Sequence, residues 1–181
     1  LRDDPTWVYW QARALKARGT PEAQARAEAM MKTIAGQYHF YGQLAAEDLG
    51  QLTFAPPRAV APTEAELGQA DTNPGLARAL KFYDLGLRFE GNREWNFQLR
   101  TMSDRQLLAA ASWACRQQVL DRCVNTADRT VSEHDFALRF VSPFLKDLQP
   151  AAVAQGLDPA WGCGLIRQES RFIMDARSHV G

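Results

Sequence analysis

Residues 156–178 read GLDPAWGCGLIRQESRFIMDARS, and this stretch decides the fold that the sequence predicts. Asp158 provides a helix N-cap, and Pro159 suits the first helical position because the N–H that proline lacks would have no intrahelical partner there. The pair therefore predicts a helix that begins at Pro159. Along this helix the spacing also predicts an apolar line, formed by Trp161, Leu165 and Phe172.

Glu169 is the carboxylate that the helix carries beside its apolar residues. It follows Gly162 and Ile166 at the spacing i, i+4 and i+7, so we expect it at the margin of the apolar stripe. A carboxyl group there loses hydration of its charged form, which suits it to proton donation near neutral pH. The spacing also allows a structural interpretation, in which Glu169 pairs with a nearby arginine such as Arg171 or Arg177.

Gly162 and Gly164 are unusual inside this helix, because each glycine costs about 0.5–1 kcal/mol relative to alanine. Their presence favours a close approach by a neighbouring element. A nucleotide-binding loop is excluded, since the glycines lie within a helical pattern and no strand precedes them.

Several short runs around this helix belong together: GLDPA at 156–160, LIRQESRF at 165–172, DARS at 175–178 and VG at 180–181. Together they resemble the opening of the catalytic domain of soluble lytic murein transglycosylases. Upstream segments are similar to the end of that family's helical superhelix and to the segment that leads into its catalytic domain: YWQA at 9–12, HFYG at 39–42, LG at 49–50, RF at 139–140 and PF at 143–144. The resemblance is most specific around Glu169.

The resemblance implies a reaction and assigns residues to it. Soluble lytic murein transglycosylases cleave the β-1,4 bond between N-acetylmuramic acid and N-acetylglucosamine without water and leave a 1,6-anhydro sugar. Glu169 matches the single general acid and base of the family, and Ser178 matches a serine that contacts the substrate. For Ser178 a solvated turn is the alternative, since serine is common in turns. The resemblance implies no cofactor and no metal.

The family's later cleft motifs do not occur before Gly181, namely a glycine-leucine-methionine-glutamine run, an alanine-tyrosine-asparagine motif and a tyrosine. We therefore expect the 181-residue chain to be inactive alone. Two other functions stay open at this point. A lysozyme-type hydrolase would use the same glutamate but deliver water to C1. A non-catalytic helical scaffold would bind murein or other cell-wall proteins and would not depend on Glu169.

The composition is balanced: 46% of the 181 residues are hydrophobic, and 21 basic residues face 21 acidic ones. This neutrality argues against nucleic acid or an anionic membrane as the main partner. The sequence has no apolar run of membrane-spanning length, and its start at Leu1 lacks the pattern of a signal peptide. With the family resemblance, we expect a periplasmic protein whose partners are peptidoglycan strands and proteins of cell-wall synthesis or lysis, with any signal peptide upstream.

The chain reads as all-α, with a solenoid-like segment first, then a helical linker and the first helix of a truncated lysozyme-like domain. Trp7, Trp10 and Ala14 mark a first helix whose aromatic residues we expect in the core. Thr20-Pro21, Phe40 and Asn73-Pro74 mark further helix starts. The predicted domains are 1–54 for the end of the superhelix, 55–63 for a linker rich in proline, 64–146 for the helical linker domain and 147–181 for the start of the catalytic domain.

Cys115 and Cys123 lie on either side of a short turn between two helical stripes. Antiparallel helix ends would bring them within disulfide distance, and two buried thiols are the alternative. Cys163 is expected to be free and buried. His39, His134 and His179 are scattered along the sequence, so no metal site is predicted.

Overall fold

The computed structural model describes residues 3–53, 55–178 and 180. Within this part of the chain the protein is all-α, as predicted, and the nearest approach to a strand is one isolated bridge between Arg58 and His134. The helices are α1 (Pro5–Ala17), α2 (Pro21–Ile34), α3 (Phe40–Asp48), α4 (Glu64–Asp71), α5 (Pro74–Asp84), α6 (Arg88–Gln98), α7 (Asp104–Arg116), α8 (Leu120–Ala127), α9 (Phe136–Arg139), α10 (Leu145–Ala154) and α11 (Pro159–Ser170).

The chain divides into two units, Leu1–Pro56 and Pro57–Gly181. The division falls inside the segment rich in proline that the sequence marks as a linker. The predicted assignment of domains to the superhelix, the linker and the catalytic domain stays a prediction. Leu1, Arg2, Phe54, His179 and Gly181 lie outside the described residues.

The first unit packs α1, α2 and α3 around a small core of alanine, methionine and tyrosine side chains. Asp4 caps α1 and Thr20 caps α2, each by accepting a backbone N–H in the first turn. The core residues of α1 are Val8, Tyr9 and Ala12. The expectation that Trp7 and Trp10 form the core is wrong, because these side chains are 60% and 55% exposed. The buried line of α1 lies one position away, where smaller side chains allow α2 and α3 to approach.

Two stacked tryptophans form the centre of the second unit. Trp95 of α6 and Trp113 of α7 have ring centroids 6.0 Å apart and planes within 9° of parallel. Both indole N–H groups have acceptors: Trp95 Nε1 donates to Thr126 Oγ1 at 2.9 Å, and Trp113 Nε1 donates to Asp71 Oδ1 at 3.0 Å. Buried indoles with satisfied donors combine a large apolar area with a fixed orientation. The stack therefore joins α6 and α7 to α4 and α8.

A disulfide joins Cys115 at the end of α7 to Cys123 in α8. The sequence left a disulfide and two thiols as alternatives, and the structure has the disulfide. Gln118 lies between the helices with a φ of 60°. This left-handed residue reverses the chain within a short connection, so the two helices run side by side.

The Pro-rich segment is fixed to α7 by charged side chains. Arg105 donates to both carboxylate oxygens of Glu66, at 2.9 and 2.7 Å, and to the carbonyl oxygen of Val60 at 2.6 Å. The later part of the segment therefore lies along α7 although its sequence lacks a regular pattern.

Asp104, next to Arg105 in α7, holds the loop that follows α8, because its carboxylate accepts the backbone N–H groups of Val131, Ser132 and Glu133.

Helices α10 and α11 cross where Gly162 faces Leu148. A Cβ atom at Gly162 would lie 2.9 Å from Leu148 Cδ1, closer than carbon atoms pack, so glycine permits this approach. At Gly164 a Cβ atom would meet nothing within 4 Å. The predicted close packing is therefore present at the first glycine and absent at the second.

None of the helices in the described part of the chain combines the length and the apolar character needed to cross a membrane.

We predict that Gly164→Ala raises the free energy of unfolding by about 0.5–1 kcal/mol, because alanine favours the helix and the site is open. Gly162→Ala should raise it by less, or lower it, because Leu148 must move to admit the methyl group. Denaturant unfolding of the two variants against the unchanged chain measures the difference. Equal effects of the two substitutions would contradict the packing described for Gly162.

We predict that Asp104 stabilises the protein in a pH-dependent way. Partial burial favours a higher pKa for this carboxyl group, but the N–H groups of Glu133, Ser132 and Val131 outweigh burial and lower its pKa to about 2. Because the folded pKa lies below the unfolded value of 3.8, the contribution is present above pH 3.8 and is lost as the pH falls toward 2. The shift corresponds to about 2 kcal/mol, which solvent screening at this half-exposed site reduces to about 1 kcal/mol.

Asp104→Asn should therefore lower the free energy of unfolding at neutral pH and flatten its decline between pH 3.8 and 2. Asp147→Asn is the matched control, since Asp147 is an exposed aspartate in the first turn of α10. Acid titration of denaturant unfolding is the measurement. If both variants have the same acid profile, the three backbone contacts of Asp104 do not stabilise the fold.

Candidate functional site

The candidate site is the C-terminal end of α11. The helix begins at Pro159, as predicted, and Asp158 Oδ1 accepts the N–H of Ala160 at 2.8 Å. The helix ends at Ser170 and is followed by two residues with left-handed backbone, Arg171 with φ 51° and Phe172 with φ 64°. Each such residue costs on the order of 1–3 kcal/mol outside glycine, so contacts with its surroundings must hold it in place.

Phe172 supplies one of these contacts. Its side chain is 4% exposed and packs with Leu120 and Val124 of α8, and with Ile166 of α11. Its ring centroid lies 6.3 Å from that of Phe144. Burying a phenylalanine contributes about 2–3 kcal/mol, enough to offset much of the cost of the left-handed turn. The left-handed turn after Ser170 thus places the side chain of Phe172 between α8 and Ile166 of α11.

Two arginines, one turn apart, hold α11 on the end of α8. Arg167 Nη2 donates to Asp128 Oδ2 at 2.8 Å, and Arg171 Nη1 donates to the same oxygen at 2.8 Å. Arg171 also donates to Asn125 Oδ1 at 3.0 Å. Residues four apart share a face of a helix, which explains why one carboxylate can receive both guanidinium groups.

Arg139 connects the clamp, formed by Arg167 and Arg171 on Asp128, to the interior of the second unit. Its guanidinium is buried and donates to the carbonyl oxygens of Ala127 and Thr130, at 3.1 and 2.9 Å. Its own carbonyl oxygen accepts Arg167 Nε at 2.9 Å. Burial lowers the pKa of Arg139, and the carbonyl acceptors supply the partners that a buried cation requires. Helix α11 is therefore attached to a backbone segment that is itself fixed.

Glu169 lies between the two arginines in sequence but on the other side of the helix. A separation of two residues turns the side chain by about 200°, away from Asp128. Glu169 is exposed, and within the described part of the chain no hydrogen bond or ion pair reaches its carboxylate. The structural interpretation paired Glu169 with an arginine such as Arg171 or Arg177. Arg171 is instead bound to Asp128 and Asn125, and no ion pair joins Arg177 to Glu169 in the described residues.

The apolar margin expected around Glu169 is mostly open to solvent. Trp161 is 80% exposed and Leu165 is 63% exposed, whereas Phe172 is buried. The described residues therefore supply a fixed backbone for Glu169 but not the dry surroundings that we expect to disfavour its charged form.

Ser178 is exposed, and its Oγ accepts the N–H of Val180 at 3.2 Å. This hydrogen bond is the one expected of a turn serine, and no contact joins Ser178 to Glu169 in the described residues. Asp175 is also exposed and lies 4.0 Å from Arg88. Cys163 is unpaired and half-buried in α11.

No group of histidine, cysteine, aspartate and glutamate side chains with the arrangement of a metal site occurs among the residues that the structure describes. His134 instead accepts a hydrogen bond from Arg139, and His39 caps α3 by accepting the N–H of Gly42. His179 lies outside the described residues.

The sequence did not predict helix α10 or the ion pairs of Asp128 that hold α11. Helix α10 was not predicted because Pro150 lies inside it and no side chain caps it. Leu145, Leu148 and Ala152 at i, i+3 and i+7 are the signal that could have indicated this helix. The clamp at Asp128 has no local signal, since its partners are about forty positions apart in the chain.

Comparison with known proteins gives a family and a fold. The family described as "Soluble lytic murein transglycosylase L domain" matches residues 69–130, which include the tryptophan stack and the disulfide. Curated protein sequences gave no significant match.

Among solved structures, the chain is similar to an inactive glutamate-to-glutamine mutant of the lytic transglycosylase Slt from Pseudomonas aeruginosa, with 28% identity and a TM-score of 0.71. It is also similar to the soluble lytic transglycosylase Slt70 from Escherichia coli, with 23% identity and a TM-score of 0.62. A 70-kDa soluble lytic transglycosylase in complex with bulgecin A has 22% identity and a TM-score of 0.60. The last two likenesses show the fold alone.

Each of these matches covers 99% of this chain, but only 29% of the Pseudomonas chain and 28% of the other two. The chain thus spans less than a third of the length of these structures. The resemblance to the soluble lytic murein transglycosylases is confirmed as a match of residues 69–130 to that family's L domain and as a similarity of fold to its solved structures.

Proposed function

We propose that this chain is part of a periplasmic lytic transglycosylase that cleaves peptidoglycan. The observation that carries the proposal is the position of Glu169 on a fixed helix end, within a chain that matches this family's L domain. The Pseudomonas relative supports it, because that protein is described as inactive when a glutamate is replaced by glutamine. The proposed substrate is the β-1,4 bond between N-acetylmuramic acid and N-acetylglucosamine.

In the proposed reaction one carboxyl group acts twice. Protonated Glu169 gives its proton to the glycosidic oxygen, and the bond between that oxygen and C1 of the muramoyl residue breaks. The carboxylate then takes the proton of the C6 hydroxyl while the C6 oxygen bonds to C1, which forms the 1,6-anhydro ring and restores the acid. Water does not enter the products. Most glycosidases use two carboxylates, and this scheme needs only one.

The residues that contact α11 are proposed to position Glu169 for proton transfer. A general acid must lie within hydrogen-bond distance of the oxygen that it protonates. Arg167 and Arg171 bind Asp128 on the side of the helix opposite Glu169. Phe172 packs against α8 just after the end of α11. These contacts use the neighbouring residues and leave the carboxylate of Glu169 free for a substrate. Ser178, a few residues further along, is proposed as a substrate contact.

The 181-residue chain alone should give little or no turnover of murein. Glu169 is exposed in the described residues, and Trp161 and Leu165 of the same helix are also largely exposed, so these residues do not enclose the carboxylate in a cleft. Release of soluble muropeptides from purified sacculi is the measurement. Robust release by this chain would contradict the proposal that catalysis needs additional residues around Glu169 to enclose the substrate.

Glu169→Gln in the full-length protein should lower the rate of murein cleavage by about 10²–10⁴-fold, because the amide cannot transfer the proton. Asp175→Asn is the matched control, since Asp175 is the exposed carboxylate closest along the chain. Ser178→Ala should have a smaller effect, of about tenfold or less, as expected for one hydrogen bond.

The mass of the products separates the proposal from its alternatives. Anhydro ends support transglycosylation, whereas reducing ends, heavier by one water, indicate a lysozyme-type hydrolase. If Glu169→Gln leaves cleavage unchanged, or if the full-length protein cleaves nothing, a non-catalytic helical scaffold is the better description.

A further inference from the structure

A groove between α5 and α6 lies outside the α11 site. Its volume is about 500 Å³, and its lining combines aromatic rings, guanidinium groups and carboxylates. The lining residues are Phe82, Glu90, Arg93, Asn96, Phe97 and Arg100, together with Glu94. The proposed reaction uses none of these residues.

The sequence of α6 explains how this surface arises. Gly91 and Trp95 face the core, because they are buried and lie four positions apart. The opposite face carries Phe89 and Phe97, which are 68% and 60% exposed. Both rings are therefore available on the outer surface of α6, and Phe97 also lines the groove.

The exposed rings and arginines form a ladder along the helix. Arg93 lies over the ring of Phe89, with 5.7 Å from its guanidinium carbon to the ring centroid. Arg100, just past the end of α6, lies over the ring of Phe97 at 5.3 Å. Seven residues of helix rise by about 10 Å, so the backbone positions of Arg93 and Arg100 are about that far apart along the groove.

The charges in the groove are only partly compensated. Glu94 is engaged, since it accepts Arg78 Nη2 at 2.8 Å. Within the described residues, neither Arg93 nor Arg100 has a carboxylate partner, and the carboxylate of Glu90 has no cationic partner. The groove therefore offers two cations and one anion to a ligand.

Asn96 contributes a polar side chain of fixed orientation to the groove. Its amide oxygen accepts Arg129 Nη2 at 2.8 Å and Arg122 Nη1 at 3.5 Å, so the orientation of the amide is set from behind. The groove thus has one preoriented polar group beside groups that remain available for binding.

We propose that the α5–α6 groove binds the peptide stems of peptidoglycan. A short peptide carries carboxylates that match Arg93 and Arg100, an amine that matches Glu90 and apolar groups that can cover Phe97. This inference rests on the proposed function, because that function makes murein the polymer that the protein meets. The groove would hold the peptides of a strand at a surface separate from Glu169.

Cosedimentation of the 181-residue chain with purified sacculi tests the inference. The unchanged chain should bind, and the double variant Arg93→Gln/Arg100→Gln should bind about tenfold more weakly, since it loses two charge-assisted contacts. Arg18→Gln/Arg26→Gln is the matched control, because it removes the same charge from two exposed arginines, Arg18 just after α1 and Arg26 in α2, that have no carboxylate partner in the described residues. Phe97→Ala should also weaken binding.

Glycan strands stripped of their peptides by an amidase give the second arm. Loss of binding to stripped strands, with retention by the control variant, supports peptide recognition. Undiminished binding to stripped strands overturns it, as does an equal loss in both double variants, which would indicate general attraction of a polyanion to arginine. Absence of binding by the unchanged chain also overturns it.

The two proposals fail separately. Glu169→Gln should lower the rate at which the full-length protein forms anhydro products by about 10²–10⁴-fold, whereas sacculus binding by the chain is tested at Arg93 and Arg100. A protein that forms anhydro products but binds sacculi without regard to Arg93 and Arg100 retains the proposed function and loses this inference.

Discussion

Asp128 is the point on which the candidate site depends. Asp128 directly follows α8, and one oxygen of its carboxylate accepts both Arg167 of α11 and Arg171, the residue after α11. Without this shared acceptor, two like charges on adjacent turns of α11 would face each other across one helical turn. With it, the last turn of α11 is held on one side, and the opposite side, with Glu169, is left open. The direction of the proposed acid thus follows from an ion pair that does not include it.

The support behind Asp128 continues into the core of the second unit. Helix α8 carries Thr126, which accepts the indole N–H of Trp95, so the stack of two tryptophans helps to fix the helix that presents Asp128. The family match at residues 69–130 covers both the stack and Asp128. The segment that matches the L-domain family model therefore also contains the residue that binds Arg167 of α11.

Helix starts were the part of the fold that the sequence predicted best. Asp158-Pro159, Thr20-Pro21 and Asn73-Pro74 each begin a helix, because capping and proline at the first position act within one turn of chain. The same local chemistry says little about which side of a helix is buried. Trp7 and Trp10 matched a helical stripe, yet tertiary packing buries the neighbouring Val8 and Tyr9 instead.

The candidate site was predictable in its position along the chain and not in its surroundings. Glu169 could be identified from the motif around it. Its exposure, however, depends on the tertiary contacts of Phe172, Arg167 and Arg171. The left-handed backbone at Arg171 and Phe172 has no signal in residue type, since neither arginine nor phenylalanine favours that conformation. Contacts between distant parts of the chain impose it.

The disulfide between Cys115 and Cys123 has a consequence for the order of assembly. The two cysteines are only eight positions apart, so a small loop brings them together at low entropic cost, before distant segments have met. In an oxidising compartment, the hairpin of α7 and α8 can be covalently closed while the rest of the chain is still unfolded. Such a hairpin would carry Asp128, the acceptor of Arg167 and Arg171, just past the end of α8.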